Sequence, residues 1–171
     1  AISSAIEWFF ENEEMGIIIE DDCLPSQSFF WFCETLLNRY KDDIRISMIS
    51  GTSYLFNEIQ SKEDYFFSKY ISIWGWATWK RAWSKYDVEM SDWSGVIKNK
   101  LHNDMLYLDK STRDGFLEHF ENSFHKKYDV WGYQWVYRCL VENSFCITPY
   151  KNLISNLGID GRSGDSTNSP F

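Results

Sequence analysis

The chain lacks the patterns that would place it in several common classes of protein. Its four cysteines include no C-x-x-C pair and no regular spacing, which argues against a zinc site or a disulfide framework and indicates a reducing, cytoplasmic compartment. It contains no apolar run of about 18 residues and no signal peptide at its start, so we expect neither a membrane span nor secretion. It also lacks the G-x-x-x-x-G-K-[ST] loop of nucleoside triphosphatases.

Positive charge is in the minority as well. Seventeen Lys and Arg residues stand against 25 Asp and Glu residues, and the net charge is −8. Neither nucleic acid nor an anionic membrane surface would be attracted to so acidic a chain, so neither is an expected partner. A nucleotide held through a metal ion remains compatible with this charge.

Aromatic residues are the compositional excess, at 19% of the chain with nine tryptophans. Such content suits either a ring-lined core or a sugar-binding cleft, and composition does not choose between them. With 171 residues, 44% of them hydrophobic, the chain is the size of one domain with an ordinary core. No linker interrupts it, so residues 1–171 are expected to form a single domain.

Helix and strand signals alternate in the first part of the chain. Apolar residues at helical spacing predict helices over 1–14 and 27–41. A short apolar run predicts a strand over 16–20, and an alternating segment predicts another over 45–50. Because this order is typical of parallel sheets, we expect an α/β fold with a mainly parallel central sheet and flanking helices.

The segment GIIIEDDCLP, which begins at Gly16, ends its apolar run in three carboxylates. The apolar part predicts a buried central strand, so Glu20, Asp21 and Asp22 would stand at the sheet edge where open α/β sheets bind ligands. Clustered carboxylates are stabilised by a hard divalent cation, so they predict Mn²⁺ or Mg²⁺ and a phosphate-bearing substrate. For the triplet alone, an acidic loop or a helix cap is the alternative.

Several segments resemble, in this order, bacterial sugar transferases of the GT-A, nucleotide-diphospho-sugar transferase type: GIIIEDDCLP (16–25), IWGWATWKRAW (73–83), DVWGYQW (129–135) and NLISNLG (152–158). They are similar, more distantly, to eukaryotic N-acetylglucosaminyltransferases with a Glu-Asp-Asp metal motif. The resemblance covers nearly the whole chain and implies the C-terminal two-thirds of a GT-A domain, without its N-terminal nucleotide-binding portion. A partner would then complete the sheet, or the chain is a fragment; an exposed sheet edge would favour a homodimer.

The resemblance implies a metal-dependent hexosyl or N-acetylhexosaminyl transferase of polysaccharide biosynthesis. The sugar would pass, with inversion, from a nucleotide-diphosphate donor to a hydroxyl of a carbohydrate or other acceptor. In the family the last acid of the triplet, here Asp22, binds the metal that bridges the diphosphate. Either Asp21 or Glu20 would contact the ribose or the water molecules around the metal. Asp21 is therefore a second candidate metal ligand. A fixed dication stabilises the charge on the departing diphosphate.

Asp129 is the candidate general base that takes the proton from the acceptor hydroxyl. The alternative is that Asp129 only caps the helix that follows it. Relatives usually have a second Asp where this chain has Gly132, and no His follows His125 in the tail. A non-catalytic carbohydrate-binding or interaction module is therefore the second hypothesis, and a metal-dependent phosphohydrolase is the third.

The resemblance also implies the residues that contact substrate, which come from two segments: Trp74, Gly75, Trp76, Trp131 and Gln134. A helix is predicted to begin just after Gly75, and Trp79 and Trp83 are expected to pack into the core from it. In the tail, Arg162 is the candidate to pair with the diphosphate, and Asp160 or Asp165 could replace the missing His as an oxygen ligand; a disordered tail is the favoured interpretation.

Overall fold

The computed structural model describes residues 2–55, 61–99, 110–127 and 130–158. The helices in these ranges are α1 (Ile2–Asn12), α2 (Gln27–Arg39), α3 (Lys80–Trp83), α4 (Trp93–Lys98), α5 (Lys110–Phe124) and α6 (Gly132–Val141). The strands are β1 (Met15–Ile18), β2 (Cys23–Pro25), β3 (Ile46–Ser50), β4 (Tyr65–Ser68), β5 (Trp76–Trp79), β6 (Phe145–Pro149) and β7 (Ile154–Asn156). Among the described helices, none combines the length and apolarity that crossing a bilayer requires.

The main sheet is mixed rather than mainly parallel. Its five strands lie in the order β1-β5-β3-β6-β4, and β2 pairs with β7 in a separate two-stranded sheet. Of the described neighbours in the main sheet, only β3 and β6 are parallel, and the other pairs are antiparallel. The α/β class with flanking helices is confirmed, and the expectation of a mainly parallel sheet is wrong.

The strand β5 is the reason for the difference. The sequence predicts a helix just after Gly75, but Trp76–Trp79 forms a strand and the helix begins only at Lys80. β1 and β3 both pair antiparallel with β5, so they point the same way, as predicted, but are not neighbours. In the described sheet β1 is therefore an edge strand with all of its residues partly buried, not a fully buried central strand. Dimerisation through this edge stays a prediction.

Helices cover both faces of the main sheet, and consecutive strand residues point to opposite faces. The face under α2 carries Ile49, Ala77 and Ile147. The face under α1, α3, α5 and α6 carries Met48, Trp76 and Cys146. Trp79 and Trp83 are 3% and 4% exposed, which confirms that they belong to the core. All four cysteines are free and buried.

The two sheets meet at a contact between two glycines and one isoleucine, which we call the glycine joint (Gly51, Gly75 and Ile154). The Gly51 amide donates to the Gly75 carbonyl at 2.8 Å, and the Leu153 amide donates to the Gly51 carbonyl at 2.9 Å. A Cβ on Gly51 would lie 2.6 Å from Ile154 Cγ1, and one on Gly75 would overlap Ile154 Cδ1. Gly75 has a φ of +59°, in the left-handed region. Ile154 thus fills space that two side chains would need.

We expect Gly75→Ala to lower the free energy of unfolding by about 2–4 kcal/mol, because alanine disfavours the left-handed region and its Cβ would overlap Ile154. Gly95→Ala is the matched control. Gly95 lies in α4, where a Cβ would meet no heavy atom within 4 Å in the described part of the chain, and alanine there stabilises the helix by about 1 kcal/mol. Urea denaturation followed by tryptophan fluorescence measures both; equal effects would contradict the joint.

Candidate functional site

The acidic triplet, Glu20, Asp21 and Asp22, lies at the sheet edge where β1, β3 and β6 end. Ile18 of β1 and Ser50 of β3 both pair with Trp76, so both strands end beside the start of β5. β6 runs parallel to β3 and ends at the same edge. Ligands of open α/β sheets bind outside the carboxyl ends of their strands, so this edge is the candidate site.

The segments that carry the family resemblance meet at this edge. The Trp131 indole, just before α6, donates a hydrogen bond to the Glu20 carboxylate. β2, which follows the triplet, pairs with β7, and the Leu157 amide donates to the Asp22 carbonyl at 2.8 Å. Ile73 Cδ1 occupies the position that a Cβ on Gly132 would take. Residues far apart in the sequence therefore surround the triplet.

Trp131 connects the triplet to the aromatic core. Its ring stacks on Trp76, with ring centroids 5.8 Å apart and an interplanar angle of 21°. Trp76 in turn lies 6.1 Å from Trp83 and 5.7 Å from Trp135 between ring centroids. Trp131 itself is only partly buried. It is thus an aromatic side chain that contacts the acidic triplet and still has surface for a ligand.

Trp76 and Gln134, both predicted to contact substrate, lie inside the protein. Trp76 is 0% exposed and Gln134 is 6% exposed. Their Trp76 Nε1 and Gln134 Oε1 atoms are buried without a hydrogen-bond partner in the described part of the chain. In this conformation both residues support the site from beneath and present no surface to a ligand. For Trp76 the cause is its strand position, which points the ring into the core.

Trp74 and Gly75 differ in what they offer to a ligand. Trp74 is partly exposed, its ring meets the Tyr54 ring edge to face at 6.0 Å, and its carbonyl accepts a hydrogen bond of 2.7 Å from Thr52 Oγ1. Gly75 is buried in the glycine joint. Because Gly75 has no side chain, the Ile154 side chain can pack closely against its backbone.

Burial and mutual repulsion shape the charge of the triplet. Burial, followed by the charges of Asp22 and Asp21, raises the pKa of Glu20, and the Trp131 hydrogen bond opposes this shift. Burial and the hydrogen bond to Asp22 raise the pKa of the Cys23 thiol to about 12. Cys23 Sγ lies 3.4 Å from Asp22 Oδ1. The site therefore holds negative charge at a cost, and a cation bound there would reduce that cost.

The donor atoms of the triplet fit a hard divalent cation in type but do not form a complete cage. Carboxylate oxygens are the ligands that Mg²⁺ and Mn²⁺ prefer. Within the described ranges, no three or more His, Cys, Asp or Glu side chains converge closely enough to hold a metal. A metal at Asp22 would thus take further ligands from substrate phosphate and water, as Mg²⁺ sites with one or two carboxylates do.

Two predicted site residues, Asp129 and Arg162, lie outside the described residues, as do Asp160 and Asp165. Sequence reasoning missed Asn152, whose Oδ1 accepts from the Ser53 amide at 3.1 Å. Its Nδ2 donates to the Ile154 carbonyl at 2.5 Å. Asn152 thereby fixes the loop after β3 to the start of β7. Asn152 opens the NLISNLG segment, but nothing in that segment pointed to this role.

In comparisons with known proteins, no family model matches this chain and no curated protein is significantly similar to it.

The pH dependence of stability tests the charge of Glu20. The pKa of Glu20 in the folded protein lies above its ordinary value of 4.5. Below pH 4.5 Glu20 is protonated in both the folded and the unfolded state, and the full stability of the fold is present. As the pH rises through the folded pKa, ionisation of Glu20 lowers that stability. Glu20→Gln removes the charge and keeps an oxygen for Trp131. We therefore expect a higher melting temperature than wild type at neutral pH, and a difference that shrinks as the pH falls toward 4.5.

The exposed Glu13→Gln is the matched control for the loss of one carboxylate. Thermal unfolding of the three proteins over a pH series measures the effect. A Glu20→Gln difference that does not change with pH, or that is matched by Glu13→Gln, would remove the claim that Glu20 is held ionised at a cost.

Proposed function

We propose that this chain is the metal-binding and acceptor-binding part of a GT-A glycosyltransferase, which transfers a sugar from a nucleotide-diphosphate donor to a hydroxyl acceptor with inversion. The observation that carries the proposal is the convergence of the motif segments at one sheet edge. The resemblance rests on these segments, and chance similarities scattered along a sequence have no reason to meet around one acidic triplet. The Trp131 contact with Glu20 is the most direct link between them.

The acidic triplet is the proposed donor side of the site. Asp22 would hold Mn²⁺ or Mg²⁺, with Asp21 as a second oxygen donor and Glu20 against the ribose or the metal's water shell. When bound, the dication would stabilise the charge on the departing diphosphate. The raised pKa of Glu20 supports a cation here, because positive charge offsets the repulsion from its neighbours. Arg162 is a proposed second source of positive charge for the diphosphate.

The aromatic residues are the proposed acceptor side. Trp74 and Trp131 are partly exposed at the site edge and would pack against an acceptor's ring faces. Asp129, just before Trp131 in the sequence, is the proposed base that takes the proton from the acceptor hydroxyl as this hydroxyl attacks the anomeric carbon. Its nearness in sequence to the Trp131–Glu20 contact supports this role.

A non-catalytic carbohydrate-binding module is the second candidate, and Gly132 favours it. Where relatives have an acid, this chain has a buried glycine whose missing side chain is replaced by Ile73 Cδ1. An acidic side chain at this position would have to displace that methyl group. A module of this kind would bind free oligosaccharide and ignore metal and nucleotide.

Calorimetry of Mn²⁺ with uridine diphosphate tests the donor side. We expect Asp22→Asn to weaken this binding by at least about 10-fold, the smallest loss that removal of a metal-site partner usually causes. Asp42→Asn is the control, because it removes the same charge from an exposed position at the other end of β3. Unchanged binding of Mn²⁺ and uridine diphosphate in Asp22→Asn, or an equal loss of this binding in Asp42→Asn, would contradict the role of Asp22. Binding of free oligosaccharide without binding of metal and nucleotide would favour the carbohydrate-binding module.

Turnover tests the base. In the presence of a donor and acceptor pair found by screening nucleotide sugars, Asp129→Asn should lower kcat by about 10²–10⁴-fold and leave donor affinity nearly unchanged, because the proton transfer contributes mainly in the transition state. Asp42→Asn again controls for the lost charge. A kcat within about threefold of wild type, far short of the effect of a base, would leave Asp129 as a helix cap only.

A further inference from the structure

A cavity of about 560 Å³ lies between the main sheet and α5. Ser50, Ser68 and Thr148 line it from β3, β4 and β6. Strand alternation and the pairing of β4 with β6 put these small side chains on one face of the sheet, the face that carries Met48 elsewhere. Gly115 of α5 lines the cavity opposite the sheet. The cavity exists because small residues face one another where large ones fill the rest of the layer.

The described lining carries no carboxylate, ammonium or guanidinium group, and His119 is its only imidazole. None of the fourteen described lining residues is Asp, Glu, Lys or Arg, although these make up 25% of the chain. Phe66, Ile71 and Phe116 supply apolar surface. Two of the hydroxyl groups already donate to the backbone: Ser50 Oγ donates to the Thr52 carbonyl at 3.2 Å and Thr52 Oγ1 donates to the Trp74 carbonyl at 2.7 Å.

This chemistry defines the class of ligand. The volume falls within the range of roughly 300–1,000 Å³ that is usual for small-molecule sites. Among the described lining residues, a phosphate or carboxylate would lose its hydration and find no Lys or Arg, with the His119 imidazole as its only possible cationic partner, which is unfavourable. An uncharged aromatic or alkyl group would bury apolar surface against the phenylalanines and gain free energy. The cavity is therefore suited to a neutral, largely apolar ligand and unsuited to the nucleotide.

The cavity shares a wall with the candidate site. Thr52 and Tyr54 both line the cavity, and both contact Trp74, through the hydrogen bond to its carbonyl and through the ring contact at 6.0 Å. Ser50, also in the lining, pairs in register with Trp76 next to the end of β1. A ligand in the cavity would thus lie beside the proposed acceptor side of the sheet edge.

We propose that this cavity holds the apolar part of the acceptor, so that the acceptor is a neutral alcohol with an aromatic or alkyl portion and not a fully polar oligosaccharide. The role of this ligand as the acceptor depends on the proposed glycosyl transfer. The uncharged ligand site itself rests only on the cavity.

Nile red, a neutral aromatic dye that fluoresces in apolar surroundings, is the probe. Gly115→Leu places a side chain where a Cβ meets no heavy atom of the described residues within 4 Å, so it should fill the cavity without overpacking. We expect it to weaken Nile red binding by about 10- to 100-fold, the value of the apolar contacts it replaces. Gly95→Leu, in α4 and outside the cavity lining, has the same open surroundings and should bind as wild type.

Thr112→Phe is the second variant, since Thr112 is an exposed lining residue whose replacement should narrow the cavity without disturbing the core. Circular dichroism establishes that each variant is folded. Octyl glucoside below its micelle concentration should displace Nile red from wild type, whereas glucose at the same concentration should not, because only the former carries an apolar group.

No saturable Nile red binding by wild type, or binding as strong as that of wild type in both folded cavity variants, would overturn the cavity site. Displacement by glucose as strong as by octyl glucoside would overturn the ligand class. Calorimetry with Mn²⁺ and uridine diphosphate on the same samples separates the two proposals. Nile red binding that survives in Gly95→Leu and is lost in Gly115→Leu, without any nucleotide binding, would support the cavity and contradict the transferase.

Discussion

The missing side chains of Gly51 and Gly75 are the constraint on which the arrangement of this protein depends. Backbone hydrogen bonds run from Gly51 to Gly75, from Leu153 to Gly51 and from Ser26 to Leu153, each between 2.8 and 2.9 Å. These hydrogen bonds bring the backbone at Gly51 and Gly75 so close to Ile154 that a side chain at either position would overlap it. Ile154 fills the space that is left and carries the two-stranded sheet with it. The loop that bears the acidic triplet is therefore held between β1 and β2, and both strands are fixed in position.

One member of the triplet, Glu20, is held in this frame at an electrostatic cost. Glu20 is partly buried, repelled by two neighbouring carboxylates, and compensated by one indole hydrogen bond from Trp131. Cys23 lies directly behind, with its thiol held protonated by burial and by Asp22. A loop selected for stability alone would have no reason to keep three acids here. Unfavourable charge held by surrounding structure is typical of functional sites, where a bound ligand supplies the compensation.

Local patterns in the sequence predicted the elements well and their neighbours poorly. The strand expected over 45–50 is Ile46–Ser50, and the helix expected over 27–41 is Gln27–Arg39. The strand Trp76–Trp79 was not predicted, because Trp76, Trp79 and Trp83 also match helical spacing. Four residues are too few for periodicity to distinguish a strand from a helix. This one strand, inserted between β1 and β3, makes the sheet mixed. Strand order depends on long-range contacts that no local pattern contains.

The candidate site shows the same division. Its acids were visible in the sequence because an apolar run ends in three carboxylates, whereas the contact of Glu20 with Trp131 was not predicted. Which tryptophans keep exposed surface was not visible, because burial of Trp76 depends on β5 being a strand. Gly75 was expected to contact substrate, and in the structure the group that packs against it is the Ile154 side chain. The cavity left no pattern at all, since it arises from small residues on separate strands.

The acidic edge and the uncharged cavity are kept apart by one strip of backbone. Residues 50–54 and 72–76 form this strip. Its two segments are hydrogen-bonded to each other: Thr52 Oγ1 donates to the Trp74 carbonyl, and the Gly51 amide donates to the Gly75 carbonyl. Because few polar groups of the strip remain unpaired, it can border an apolar space on one side without drawing water into it. Charge therefore stays at the sheet edge, where cation and water can reach it. The cavity keeps the low polarity that lets it select an uncharged ligand.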